Sequence, residues 1–436
     1  MSREFDILDR DSDVLSEAMK IRFFPFVLDR QAGATLTSVD GDELIDFTSA
    51  WAVANTGYRH PTVVDALRNQ LDRALANSPI SLPHGSVVQL AERLRDRLDA
   101  GYPTKVWFGH SGSEAGDLLS KAIPTTGDGD VVVNFEGSYH GITAGAAAIS
   151  GHSAQAGVES EDVVTLPFPD QYRSYLDPDA LADTALEAVA EAFETHDIAG
   201  LITEPLQSDG GILVPPDGFL EGLADLCTDN DAYFVVDEVK AGLGRTGEFF
   251  AFEHADVEPD AIMLGKPLGS GVPISAVVGR AELVDYEPAS HMMTTAGGPL
   301  SAAAGLATLD VIEAENLSKR AARLGDHLSD VLADLAADSP VVGDVRGRGM
   351  MQGVELVEAG TDDPSHDLAA RVCLWARRRG LAVFYVGLHS NVLELTPPLT
   401  ISKTDLDTGV DRLAGAIEDA QTKTLDPALL ERYAGW

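Results

Sequence analysis

Residues 233–273 read YFVVDEVKAGLGRTGEFFAFEHADVEPDAIMLGKPLGSGVP. Two runs inside this stretch, Tyr233 to Asp237 and Ile262 to Leu264, are apolar and of strand length. Asp237 closes the first run, and Lys266 follows the second. In open parallel sheets the functional groups gather at the carboxyl ends of the strands. An acid and a lysine at such ends are costly to desolvate singly. A structural ion pair is the plain alternative. GLGRTG at 242–247 has the G-x-G-x-x-G spacing of a dinucleotide fold. GEFFAFEHADVEPD overlaps its end and shows no clear amphipathic helix, so the match is weak.

Outward from this stretch, short β-branched runs alternate with helical segments. Val106–Phe108, Val131–Phe135, Val163–Phe168, Gly200–Thr203 and Ile274–Val278 read as further strands. Residues 86–98, a stretch from Ser113, and segments near 180–194 and 217–228 read as helices. The alternation predicts an α/β fold with a largely parallel sheet between helical layers. Beyond about residue 310 the pattern becomes a smaller α+β unit. It has one long helical stretch at 302–336 and helices at 365–379 and 403–421. The expected division is 1–55 and 310–436 as a small domain built from both chain ends, with 56–309 as the large domain.

The chain has 436 residues, 31 basic and 70 acidic, for a formal charge of −39. Such a field repels nucleic acid and anionic lipid, so no nucleic-acid or membrane partner is expected. The acid is spread along the chain, and there are only eight lysines. That pattern resembles the cytoplasmic proteins of salt-accumulating halophiles, although an acidic mesophile would also fit. Cys227 and Cys373 make neither a disulfide framework nor a zinc set. The histidines lack metal-site spacing, so no metal is expected. The start MSREFDILDRDSD has no apolar core, and no run is long enough to span a bilayer. A cytoplasmic protein is expected.

HSGSEAGDLLSKA at 110–122 reads as a turn into a helix. Ser111 and Glu114 fit a capping box, and Gly112 allows close backbone approach. The free N–H groups of that helix start suit a phosphate. A phosphate anchor, a strand-end acid and a strand-end lysine are what pyridoxal 5'-phosphate requires.

At these residues the chain resembles the class III pyridoxal-phosphate aminotransferases, the ω-aminotransferase group of fold type I. The resemblance runs from DFTSAWAVANTGYRHP (46–61) to LELTPPLTIS (393–402). It includes SGSEA (111–115), GSYHG (137–141), EPLQSDGG (204–211), VDEVKAGLGRTG (236–247) and TTAGGPLS (294–301). It implies a large domain around a mostly parallel seven-stranded sheet, plus a small α+β domain. It makes Lys266 the lysine that carries the cofactor and shuttles the proton, and Asp237 the partner of the pyridine nitrogen. Gly112 and Ser113 match the phosphate-binding pair. Tyr139 matches the aromatic stacked on the ring, with Val239 on its other face. Thr294 matches a threonine that reaches the phosphate from a neighbouring subunit. A homodimer with its active site at the interface follows. Tyr139 could instead be an ordinary half-buried aromatic, and Thr294 a turn residue.

Four positions depart from the family pattern. Lys240 replaces a glutamine near the cofactor's phenolic oxygen, and Glu394 replaces an arginine that clamps a substrate carboxylate. Gly116 and Gly298 each replace an asparagine. With the arginine gone, Glu204 is expected to face Glu394, and Lys240 to lie near Glu204 or the cofactor oxygen. A solvent-facing Lys240 would overturn that. An acid at the clamp disfavours a second substrate carboxylate, and Trp51 either lines the entry or is a core aromatic. The expected activity is a ping-pong transfer from an amine or ω-amino acid donor to a keto acid or aldehyde acceptor. An amino-acid racemase or epimerase on the same fold is the nearest rival. A catalytically silent binding protein is a further one, against which Lys266 and Asp237 both speak.

Overall fold

Apolar runs whose two faces are both covered by helices have no reason to alternate polar and apolar residues. The computed structural model describes residues 3–152, 157–158, 160–433 and 435. Three strands come first: β1 (Leu28–Ala32), β2 (Thr35–Ser38) and β3 (Glu43–Asp46). The seven runs read as strands then form one sheet. They are β4 (Thr104–Gly109), β5 (Val131–Phe135), β6 (Val163–Leu166), β7 (Ile198–Thr203), β8 (Tyr233–Asp237), β9 (Ala261–Leu264) and β10 (Ser275–Arg280). Their order is β4-β10-β9-β8-β7-β5-β6. β5 to β9 pair in parallel, and β10 runs antiparallel to both neighbours. Every residue of β5, β7 and β9 is buried. The helix Gly112–Thr126 covers the sheet with Ala115, Leu118, Leu119, Ala122 and Ile123, an i, i+3, i+4 stripe.

The last strands are β11 (Val342–Arg348), β12 (Met351–Leu356), β13 (Leu381–Ala382), β14 (Phe384–Val386) and β15 (Val392–Leu395). β11-β12-β15-β14 make an antiparallel sheet. β13 instead pairs in parallel with β3, which brings the two chain ends into one sheet.

Two expectations change in detail. The single helical stretch at 302–336 is two helices, Pro299–Ala314 and Leu317–Asp338. Asn316 between them has φ 50°, a left-handed break that asparagine tolerates. The boundary drawn at 309/310 lies inside the first of these helices. The capping box is half formed. Ser111 Oγ accepts from Glu114 N at 3.4 Å, but Glu114 turns to His110 N at 2.6 Å. Among the described residues no helix is long and apolar enough to cross a membrane.

Candidate active site

Asp237 ends β8, and Lys266 stands two residues beyond the end of β9, the neighbouring strand. The register therefore brings them to one edge of the sheet. Asp237 is buried, and both its oxygens are held: Oδ1 accepts from Val239 N at 2.8 Å, and Oδ2 lies 2.8 Å from His140 Nδ1. His140 is also buried, and its Nε2 has no partner among the described residues. Lys266 has φ 33°, a strained value for a residue with a side chain. Burial first, then the neighbouring Lys240, holds its amine below the ordinary lysine value.

The helix Gly112–Thr126 starts beside this edge. A Cβ on Gly112 would sit 3.0 Å from Val239 Cγ1, and one on Gly265 would sit 3.2 Å from the same atom. Val239 thus packs against two glycines that must stay bare. Ser113 Oγ accepts from Ile142 N at 3.1 Å, which ties the loop after GSYHG to the helix start. Gly116 needs no side chain to fill space, because a Cβ there would meet His140 O at 2.6 Å. This explains the missing asparagine.

Glu204 follows β7 and is buried. Its Oε1 accepts from Ser208 N (3.1 Å) and Ser208 Oγ (2.7 Å), and Oε2 from Tyr139 N (3.3 Å). Burial, then the charge of Asp237, pushes its carboxyl up to about 7. The expected partnership of Lys240 with Glu204 is corrected here. Lys240 is buried, and its Nζ donates to Asp209 Oδ1 at 3.0 Å and Glu394 Oε2 at 2.9 Å. Glu204 satisfies itself locally through Ser208, and the cation goes instead to Asp209 and Glu394. Burial alone would lower the Lys240 amine, but Asp209 and Glu394 outweigh it and hold the amine above its ordinary value. Asp209 is held below the usual carboxylate range: burial opposes this, and Lys240 and Lys266 overcome it.

Trp51 caps the cluster, with Lys240 Nζ 5.1 Å from its ring centre. It is half-buried, and its ring centre lies 4.9 Å from that of Phe384. Of the two roles expected of it, the core contact is present, alongside its contact with the Lys240 ammonium. Its backbone is unusual. Ser49, Ala50, Trp51 and Ala52 have φ of 46°, 53°, 64° and 59°. A left-handed turn of side-chain-bearing residues costs ~1–2 kcal/mol per residue. Buried Asp46 anchors it, accepting from Thr48 N, Thr48 Oγ1, Ser49 N and Tyr58 OH at 2.7–3.0 Å. Thr396 Oγ1 lies 3.1 Å from Thr48 O and 3.2 Å from Glu394 Oε1, which links turn and cluster.

Tyr139 is half-buried, and its ring centre lies 6.1 Å from that of buried His152. Burial holds the His152 imidazole below its ordinary value. Thr294 is exposed and lies apart from these groups in the hydrogen-bond pattern, while the next residue, Thr295, bonds His110 at 3.0 Å. Sequence reasoning passed over three members of the site. His140 stood in GSYHG and Asp209 in EPLQSDGG, both quoted for other reasons. His152 carried no signal. Among the described residues no His, Cys, Asp and Glu cluster could hold a metal.

The donor set fits a pyridinium cofactor with a phosphate. The N–H groups of the first helical turn offer the anion site. The carboxylate of Asp237 is aimed by His140 and Val239 N, and His140 Nε2 is a buried polar atom without a partner among the described residues. Lys266 follows the strand paired with β8, and the charge of Asp237 acts on its amine. Fold and site together define a pyridoxal-phosphate enzyme of fold type I. The profile of the class III aminotransferases matches residues 17–417, and the chain belongs to that family. Its cofactor is pyridoxal 5'-phosphate, and its enzyme class is that of the pyridoxal-phosphate-dependent transaminases.

Among its relatives, a leucine/methionine racemase of Thermococcus litoralis is 36% identical, with 100% of both chains covered. A 5-aminovalerate aminotransferase of Pseudomonas aeruginosa is 35% identical over 91% of this chain and 94% of its own. An amine transaminase from an uncultivated Pseudomonas species, solved with pyridoxal phosphate bound, superimposes with a TM-score of 0.85. It shares 28% identity over 91% of this chain and 95% of its own.

Proposed function

We propose that the chain transfers an amino group from an amine or ω-amino acid donor to a keto acid or aldehyde acceptor in a ping-pong cycle. One observation carries the donor class: the buried Lys240–Asp209–Glu394 cluster stands where a clamp for a second carboxylate would need a free cation. With its ammonium committed to two acids, that wall offers Lys240 as no free cation for a second carboxylate, and it tolerates an amine. When bound, the cofactor supplies an aldehyde for the amino group and a ring that absorbs the electrons left on carbon. Lys266 Nζ holds the cofactor and then moves the proton from the substrate's amino-bearing carbon. Its lowered basicity leaves it a free amine more often near neutral pH, which suits that task. Asp237 keeps the pyridine nitrogen protonated, and His140 orients Asp237. Gly112 and Ser113 take the phosphate. Tyr139 and Val239 flank the ring.

A specific observation favours a second reading, racemisation or epimerisation of an α-amino acid. A racemase is among the relatives, and Asp209 is a second buried ionisable group whose charge acts on Lys266, the group that moves the proton in either reaction. Incubating holoenzyme with one amine or amino acid and no acceptor separates the two. Conversion of the cofactor to its amine form supports transfer. Loss of optical activity without that conversion overturns it for racemisation.

The proposal includes a homodimer. Thr294 is exposed and available to a second copy of the chain, and mixing two inactive variants tests this by complementation. It includes a cytoplasmic, salt-adapted life for a surface of charge −39, with activity and folding lost in low salt. It includes the division into 1–55 and 310–436 as a small domain and 56–309 as the large one.

A further inference from the structure

The turn that carries Asp209 is held from outside the pocket. Gln207 and Leu213 exchange backbone hydrogen bonds at 2.8 and 2.9 Å, so residues 208–212 form a closed loop. Gly211 has φ +125° and Ile212 has φ +55°, the latter unfavourable for a β-branched residue. Such a turn does not keep its shape unaided.

Arg346, on β11, grips it. Nε and Nη2 both donate to Gly211 O, at 3.0 and 2.7 Å. Nη1 is fixed by Asp344 Oδ2 at 2.8 Å and Glu355 Oε2 at 2.7 Å. Glu355 is buried and also pairs with Arg173. Gly387, just after β14, donates its N–H to Asp209 O at 2.9 Å. A Cβ on Gly211 would lie 3.3 Å from Arg346 Nη2, so the grip is close. Two parallel donors on one carbonyl fix direction as well as distance, which a lysine cannot reproduce.

We propose that Arg346 is a positioning residue for Asp209: it locks the 208–212 turn so that the Asp209 carboxylate stays on Lys240 beside Lys266. This rests on the reading that Asp209 belongs to the reacting site. The C-terminal sheet then sets the charge around Lys266 without touching substrate. The charged groups facing Lys266 are Lys240, Asp209, Asp237 and Glu204. Displacing Asp209 removes a negative charge from that set, so a proton on the Lys266 nitrogen is held less tightly.

The test uses holoenzyme of Arg346→Lys, Arg346→Gln, Asp209→Asn and the Arg346→Gln/Asp209→Asn double variant. Arg346→Lys keeps the ion pairs and removes only the fork, so it stands in if Arg346→Gln does not fold. The readouts are kcat and the pH midpoint of the visible band of the Lys266-bound cofactor. Both Arg346 variants are expected to lose about tenfold in kcat, with no further loss when Asp209→Asn is already present. Their pH midpoint is expected to fall, as in Asp209→Asn. A merely structural arginine would lower the unfolding temperature and leave the midpoint in place, which overturns the proposal. Losses that multiply in the double variant overturn it too. A deficient Asp209→Asn beside wild-type Arg346 variants sinks the Arg346 role alone. A wild-type Asp209→Asn sinks both that role and the reading on which it rests.

Discussion

The two halves of the candidate site are assembled by different means. Asp237, Lys266, Glu204 and Gly112 come from the edge of one sheet and the helix packed on it. Lys240, Asp209, Glu394 and Trp51 come from four segments spread over both chain ends and the middle. In the first half, backbone register does the placing: parallel pairing of β8 with β9 brings acid and lysine to one edge. In the second, side-chain electrostatics does it, since one buried ammonium draws together two acids that nothing local would bring near. The first half is consequently tolerant of change outside it. The second depends on each member being present.

The comparison breaks most visibly at Lys266. Lys266→Ala is expected to lose at least about a thousandfold in turnover while the fold and unfolding temperature stay near wild type. Steady-state rates and visible absorbance check this, and an unchanged absorbance would return the chain to the status of a silent fold member. Next is the cluster. Lys240→Met leaves Asp209 and Glu394 buried together without a cation, and removing one partner of such a group costs ~3–5 kcal/mol. Denaturant unfolding measures it. A Lys240→Met/Glu394→Leu pair should recover part of the loss, and no recovery would mean the two residues do not act as a pair.

Glu204 sharpens the comparison through pH. Its carboxyl rises from 4.5 to about 7 in the folded chain. The folded state therefore holds that proton more tightly than the unfolded one. The stability it contributes is full below its unfolded value and is lost as pH climbs through about 7. Glu204→Gln should remove this slope, so its stability relative to wild type should improve between about pH 5 and about pH 8. Urea midpoints at the two pH values decide it; a constant difference would mean the carboxyl is not perturbed. The smallest effect is expected at Trp51. Trp51→Ala removes a half-buried ring and its contact with the ammonium, worth ~1 kcal/mol at such a site. A several-fold rise in KM with little change in kcat is the expected signature, and a loss confined to kcat would place Trp51 in the chemistry.

Much of the first half was legible in the amino-acid order. Strand length, β-branching and terminal polar residues located Asp237 and Lys266 without any knowledge of neighbours. Less of the second half was. Lys240 and Glu394 stood out as departures, but the sequence placed Lys240 near Glu204 or the cofactor oxygen and gave no sign of Asp209 as its partner. Distance in sequence hides such pairings, because any of several acids satisfies the same charge argument. The left-handed turn at 49–52 was also invisible: nothing in SAWA announces positive φ, and its cause, Asp46, acts through hydrogen bonds to Thr48, Ser49 and Tyr58. The break at Asn316 escaped because apolar spacing continues on both sides of it.

By itself the sequence determined the sheet, the helix that starts at Gly112, and the two strand-end groups. These follow from periodicity and local backbone chemistry, which act over a few residues. Only the tertiary structure decided which acids share Lys240, what holds the Asp209 turn and how Trp51 meets the cluster. Those outcomes depend on desolvation and charge between segments far apart in the chain. Such forces exist only once the core has excluded water.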